Sequence, residues 1–302
     1  MQKINRLGWA EGTCFSSYGV NIGIRASQSG AIERLVPFLP PRWEAIGSRR
    51  RLDILYSWVV GGKRKPNMRT FNVLYANAER VARTLRPNQM LEELQRDLRM
   101  KLVVLSRHFV FIHAGVVGWR GRALLLPARA GGGKSTLVEA LVRAGAEYFS
   151  DEFAVLDKSG RVHPFAKPIS VHRSSPTKNE SLSVEAIGGR TAKQPARVGI
   201  ILVTRYQMGA RSRFREVSPG QGVLHLIRNA YAARSAPWQV LRASRNACTG
   251  AILLRGLRGE AQQVVEPLLR ILDGWPDLHK KSHKEGDLCD VPEKFAMASQ
   301  GY

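Results

Sequence analysis

The chain has 302 residues, 44% of them hydrophobic, which is enough to bury a sizeable core and excludes a wholly disordered protein. Its formal net charge of +23 calls for acidic partners: nucleotide phosphates, an acidic peptide or nucleic acid. Its longest apolar runs, such as 109–112 and 199–203, fall short of a membrane span, and residues 1–5 lack the apolar core of a secretory signal, so the expected setting is the cytoplasm with no membrane partner.

Three widely separated cysteines, Cys14, Cys248 and Cys289, fit a reducing compartment and show no zinc-ligand spacing. The charge alone keeps nucleic acid in view. However, the arginines are spread along the chain, and the clusters Arg49-Arg50-Arg51 and Lys63-Arg64-Lys65 have no aromatic stacking platforms beside them, which argues against nucleic acid as the partner.

In chain order, residues 18–26 alternate loosely (Tyr18, Val20, Ile22, Ile24) and read as a strand. Residues 31–39 look helical and stop before Pro40-Pro41. Residues 52–60 are a strand candidate closed by Gly61-Gly62, and 70–85 read as two strands joined at Asn77. Asn88 is placed to cap a helix through Leu105, with Leu91, Leu94, Leu98, Leu102 and Leu105 on one face. The expectation for residues 1–108 is a small α/β domain without a catalytic constellation.

A second domain is expected over 109–273. Strands at 109–117 and 123–126 flank a polar turn, and a Gly-rich loop leads into a helix over 135–144 that Gly145 terminates. Strands follow at 153–156 and 161–169. The polar stretch 174–196 reads as a flexible loop, and 198–204 as a buried strand. Ser218-Pro219-Gly220-Gln221 has the capping-box pattern and opens a helix to about Ala232. A short strand at 252–254 and a helix at 260–272, interrupted by Pro267, complete the domain. Residues 274–302 are polar and read as a disordered tail.

The strongest local signal is Ala128-Arg129-Ala130-Gly131-Gly132-Gly133-Lys134-Ser135-Thr136, directly after a strand and before a helix. Glycines let backbone N–H groups turn toward phosphate oxygens, and the helix N-terminus adds its positive end. Residues 130–136 are therefore the expected nucleoside-triphosphate site: Ala130, Gly131, Gly132 and Gly133 supply amides, Lys134 reaches the outer phosphates, Thr136 belongs to the first helical turn, and the Ser135 hydroxyl ligates Mg²⁺. The usual first glycine of such a loop is here Ala128, which fits if that residue keeps a negative φ.

A phosphate loop alone does not separate kinases from other nucleotide hydrolases. A kinase also needs a carboxylate to take the acceptor proton and an acidic metal ligand. Asp151 and Glu152 precede a strand that should return beside the loop's own strand. Read in isolation, such a pair is more often a solvated turn, and His113 more often a satisfied histidine at a strand end.

With His113-Ala114-Gly115-Val116-Val117 before the loop and Asp151-Glu152 after it, the chain resembles the HPr kinase/phosphorylase family, and more closely the HPr-kinase-related serine kinases. The intervals from His113 to Lys134 and from Lys134 to Asp151 match that family's pattern. The stretch 150–156, with Gly160-Arg161-Val162-His163-Pro164-Phe165 and Pro168-Ile169, also looks similar. The resemblance covers roughly 109–272. It implies a P-loop HPr-kinase-like core with a mixed sheet, in which Asp151 accepts the serine proton, Glu152 ligates Mg²⁺ and His113 tunes the catalytic carboxylate.

The family's later signature loop, which supports the reverse phosphorolytic activity, has no clear counterpart here, and residues 1–108 need not match its regulatory domain. The implied activity is thus an ATP-dependent kinase acting on a serine of a peptide or small protein other than HPr. Similar kinases accompany ribosomal peptide pathways, including lasso peptides, and an acidic precursor peptide would suit the charge. The family also leaves room for a homo-oligomer. Two other readings stay open: a non-catalytic ATP-sensing module that gates a partner, and a nucleic-acid-stimulated ATPase.

Overall fold

The structure, a computed structural model, describes residues 2–47, 49–65, 68–128, 133–172 and 179–274. Residues 275–302 of the expected tail, and Ala130, Gly131 and Gly132 of the expected phosphate loop, lie outside the described residues. The chain divides into two units, Met1–Val110 and Phe111–Tyr302. Both are mixed α/β.

In the first unit, α1 (Gln2–Asn5) precedes a hairpin of β1 (Glu11–Ser17) and β2 (Val20–Ala26). Its two-residue turn has Tyr18 at φ 46° and Gly19 at 76°, the double positive φ that matches strand twist. The strand expected over 18–26 is the second arm of this hairpin, with Tyr18 in the turn, and β1 was not expected because its burial alternates only loosely. Residues expected as an α-helix form a 3₁₀ helix, Glu33–Phe38, which contains Pro37; proline lacks the donor an α-helix needs there.

Next come β3 (Glu44–Ala45), β4 (Ile54–Val59), the small pair β5 (Lys63–Lys65) and β6 (Met68–Arg69), and the hairpin β7 (Asn72–Ala76) to β8 (Glu79–Thr84), turned at Asn77 with φ 52°. The six-stranded sheet runs β3-β1-β2-β4-β7-β8 and is mixed, since β2 and β4 pair in parallel. Helix α2 (Pro87–Leu105) buries Leu91, Leu94, Leu98 and Leu102 as the heptad-like spacing requires. Its N-cap is Arg86 rather than Asn88: Pro87 takes the first helical position, where its missing N–H costs nothing.

The second unit is built on β9 (Phe109–Trp119) and β10 (Arg122–Pro127), joined by Arg120 (φ 46°) and Gly121 (φ 77°) in the same turn type. Helix α3 (Lys134–Arg143) ends in a Schellman closure: Gly145 N–H bonds Val142 O and Ala146 N–H bonds Leu141 O. Strands β11 (Glu147–Ser150), β12 (Phe153–Asp157) and β13 (Val162–His163) follow.

In the stretch expected as a flexible loop the described residues hold short elements: β15 (Asn179–Leu182) pairs with β14 (Ile169–His172), which precedes the stretch, a 3₁₀ turn spans Glu185–Ile187, and β16 (Arg190–Thr191) adds to β11. These pieces are too short to show a period in sequence. Then come β17 (Arg197–Tyr206), β18 (Arg213–Glu216), α4 (Pro219–Arg228), α5 (Pro237–Cys248), β19 (Ile252–Arg258) and α6 (Gln262–Asp273). The capping box at Ser218 and Gln221 forms as read, but α4 stops at Arg228 because Asn229–Tyr231 leaves to bond β9: His113 N–H donates to Asn229 O and Tyr231 N–H to Phe111 O.

Among the described residues the second sheet has nine strands, in the order β13-β12-β9-β10-β17-β19-β18, with β11 and β16 attached through β9. Strands β10, β17 and β19 run parallel, so their carboxyl ends share one edge, where ligands of open α/β sheets bind. Helix α3 packs Leu137, Val138, Leu141 and Val142 into a core with Leu124, Ile200, Leu202 and Leu268. Burying a side chain of this kind contributes roughly 1.5–3 kcal/mol, so the helix that carries Lys134 is firmly seated.

Candidate active site

Three chain segments meet at the carboxyl edge of β10. The antiparallel register of β9 against β10 sets Ala114 opposite Pro127, so His113 stands beside the carboxyl end of β10. Ala114 N–H donates to Glu152 O at 3.1 Å, which brings the Asp151-Glu152 turn to the same edge. That turn is fixed from below: the buried Ser150 hydroxyl accepts from the N–H groups of Glu152 (3.1 Å) and Phe153 (2.9 Å).

Lys134 opens α3 behind Gly133, whose φ of 71° lies in the left-handed region. Among the described residues, no side chain caps this end of α3. The N–H groups of Lys134, Ser135 and Thr136 belong to its first turn, where a helix offers amides and positive potential to an anion. Arg258, almost fully buried at the end of β19, donates from Nη2 to Gly133 O at 2.6 Å and from Nη1 to Gly259 O at 2.9 Å. Its guanidinium also lies 5.2 Å from the Tyr206 ring centroid.

Lys134 Nζ lies 2.9 Å from His113 Nε2. Burial holds the His113 pKa below the ordinary imidazole value, and the Lys134 charge lowers it further. Burial brings Lys134 down to about 8, against the opposing pull of Asp151 and Glu152. A neutral His113 accepts from the ammonium at Nε2, which leaves Nδ1 facing the Tyr231 hydroxyl at 3.4 Å. Gly115 makes this approach feasible, since a Cβ there would stand 2.6 Å from Val138 Cγ2 and 3.0 Å from Lys134 Cγ.

Asp151 is 4% exposed, which is costly for a carboxylate unless it is bonded and paired. The Tyr148 hydroxyl donates to its Oδ1 at 3.0 Å and in turn accepts from the Asp151 N–H at 3.1 Å. Lys167 bridges the acidic pair, with Nζ 3.3 Å from Asp151 Oδ1 and 3.2 Å from Glu152 Oε2. Lys167 is aimed by Phe165, which packs edge-on against Phe111 (6.0 Å) and Phe153 (5.2 Å) and whose N–H bonds Phe149 O at 2.9 Å.

The expected residues His113, Lys134, Asp151 and Glu152 are thus gathered within one constellation, with Ser135 and Thr136 on the helix turn that follows Lys134. Tyr148, Lys167, Tyr231 and Arg258 join it and were not singled out from sequence. Lys167 lay within reach, since it interrupts the stretch from Phe165 to Pro168 used for the family resemblance. Tyr231 and Arg258 carry no local signal, because turns far apart in sequence bring them in.

No protein-family model matches the chain, and no curated protein matches it either. What the site can do is argued from its own chemistry. A lysine, the first-turn amides of a helix and two adjacent carboxylates suit a polyphosphate anion with a hard divalent cation, since hydroxyl and carboxylate oxygens are the donors such a cation prefers. Lys167 on both carboxylates shows that they already share one positive charge.

Proposed function

We propose that the chain is an ATP-dependent serine kinase of the HPr-kinase-related type, transferring the γ-phosphate to a serine of a peptide or small protein. The observation that carries this reading is the convergence of a buried carboxylate, Asp151, with Lys134 and His113 at one sheet edge. The helix-turn amides and the Lys134 ammonium hold the outer phosphates. Asp151, oriented by Tyr148, takes the proton of the incoming serine hydroxyl as its oxygen bonds to the γ-phosphorus. The bond from that phosphorus to the β,γ-bridging oxygen breaks, and the electron pair leaves with ADP. Positioning and charge neutralisation supply most of the acceleration. Ser135 and Glu152 would hold Mg²⁺, which neutralises phosphate charge when bound.

The deciding experiment compares wild type with Asp151→Asn, using labelled ATP and serine peptides. Asn keeps the volume and an acceptor for Tyr148 but cannot take a proton. Transfer should fall about 10²–10⁴-fold while nucleotide affinity stays within a few fold. Unchanged transfer would remove Asp151 from the mechanism. The ion pair from Lys167 to Asp151 favours a second reading, a non-catalytic ATP sensor, which requires ATP binding with no transfer to any acceptor.

A further inference from the structure

Between Glu216 and Glu260 the sequence contains no aspartate or glutamate, while arginine recurs at 228, 234, 242, 245, 255 and 258. Helix α5 lies in the middle of this stretch and has two sharply different faces. Val240, Ala243, Ser244 and Ala247 are buried against the unit's core. Trp238, Leu241, Arg242 and Arg245, at spacings of three and four, form one exposed face. Trp238 is 80% exposed and Leu241 39%, an unusual outlay of apolar surface on so cationic a helix.

The placement of α5 ties this face to the site. At its C-terminal end the Asn246 side chain donates to Lys158 O at 2.8 Å, and Gly160 abuts Ala247 so closely that a Cβ would come within 2.3 Å of its nitrogen. This is the far end of β12. The segment entering α5 starts at Tyr231, whose ring lies 5.5 Å from that of Phe153 and whose hydroxyl faces His113, at the carboxylate end of β12. The helix therefore lies along β12 with Trp238 on the side of the catalytic edge. The helix spans roughly 18 Å, enough to hold five or so residues of an extended chain leading away from the acceptor.

We propose that this α5 face is the docking surface for an acidic, leucine-rich segment of the acceptor peptide, with Trp238 and Leu241 taking its apolar side chains and Arg242 and Arg245 its carboxylates. The proposal rests on the peptide-kinase reading of the adjacent site. An unbroken run of positive charge selects an acidic occupant, and the Trp238–Leu241 stripe selects one with aliphatic side chains rather than a phosphate backbone alone. Exposed indole and arginine side chains are the types that dominate binding when they become covered.

The test uses a fluorescein-labelled peptide of alternating Glu and Leu with no serine, so binding is read by anisotropy on the full chain independently of transfer. Wild type should bind with an affinity that weakens as salt rises, and Trp238→Ala and Arg242→Glu should each weaken binding at least fivefold. Trp238 is mostly exposed, so circular dichroism and ATP affinity should not change. A serine-bearing version should then show a raised KM in Trp238→Ala with kcat retained. Failure to bind, or binding unaffected by both variants, overturns the proposal, as does a single-stranded RNA that binds through Trp238 where the peptide does not. A Trp238-dependent self-association would also overturn it, by assigning the face to a second copy. If the serine-free peptide docks as expected and the serine-bearing one is never phosphorylated, the kinase reading fails and the docking surface stands.

Discussion

Lys134 Nζ stands 2.9 Å from His113 Nε2, so the lysine that would meet the phosphates keeps an imidazole as its near neighbour. Two protonated groups at that distance would repel, and burial together with the Lys134 charge lowers the His113 pKa, which favours the neutral ring. The consequences for pH follow from Lys134 itself. Its folded-state pKa of about 8 lies below the ordinary lysine value, so above pH 8 the unfolded chain binds more protons than the folded one. Stability of the ligand-free protein should therefore rise between pH 8 and the ordinary lysine range, as the penalty on a buried ammonium disappears.

Nucleotide affinity should move the opposite way. A triphosphate needs the ammonium and raises its pKa, so ATP binding should weaken about tenfold per pH unit above 8. A titration with a fluorescent ATP analogue from pH 7 to 9 measures this directly. A flat profile, or a Lys134→Met variant with unchanged affinity, would take Lys134 off the phosphates.

Lys167 holds both carboxylates on one ammonium, 3.3 Å from Asp151 and 3.2 Å from Glu152. A divalent cation arriving at Glu152 must compete with it for the same oxygens. Lys167→Met should raise Mn²⁺ affinity about tenfold or more, read by electron paramagnetic resonance without any turnover, because opposite charges at such separations are worth several kcal/mol at a partly buried site. Weaker Mn²⁺ binding in that variant would mean that Lys167 organises the metal site rather than occupying its charge.

The sequence carried the site further than it carried the fold around it. Lys134 at the start of α3, the Asp151-Glu152 turn and the apolar face of α2 follow from local spacing, but the strand after that turn, β12, returns beside β9 and not beside the loop's own strand β10 as expected, because the hairpin strand β9 lies between them in the sheet. Helix α5 escaped because its polar face mixes Trp238 and Leu241 with arginines, which blurs the helical period. Residues 179–191 escaped because two-to-four-residue strands gain their order from neighbours, Ala192 N–H to Tyr148 O among them, and not from their own pattern. Lys167 and Tyr231 reach the site through the packing of Phe111, Phe153 and Phe165, a long-range event invisible to spacing.

Arg258 couples the end of β19 to Gly133, the residue that leads into α3. Replacing it with Met leaves two carbonyls without charge-assisted donors at a nearly fully buried position, at a cost of about 1.5–3 kcal/mol each. The melting temperature should fall, and ATP affinity should fall with it as Gly133 loses its anchor. Arg258→Lys should not restore either, since one ammonium cannot reproduce the planar fork. Full rescue by Lys would show that only the charge matters.

Gly115 and Gly118 give a matched pair that separates stability from site geometry. A Cβ at Gly115 would stand 2.6 Å from Val138 Cγ2 and 3.0 Å from Lys134 Cγ, while one at Gly118 would stand 2.5 Å from Phe149 Cε2. Both alanine variants overpack the same strand, β9, and both should destabilise by about 1–3 kcal/mol in urea unfolding. Only Gly115→Ala pushes on α3 at the lysine stem, so only it should weaken ATP binding, by about tenfold, as Lys134 is displaced from its place beside His113. Equal losses of ATP affinity in the two variants would mean that the nucleotide site responds to general loosening of the strand and not to the Gly115 contact.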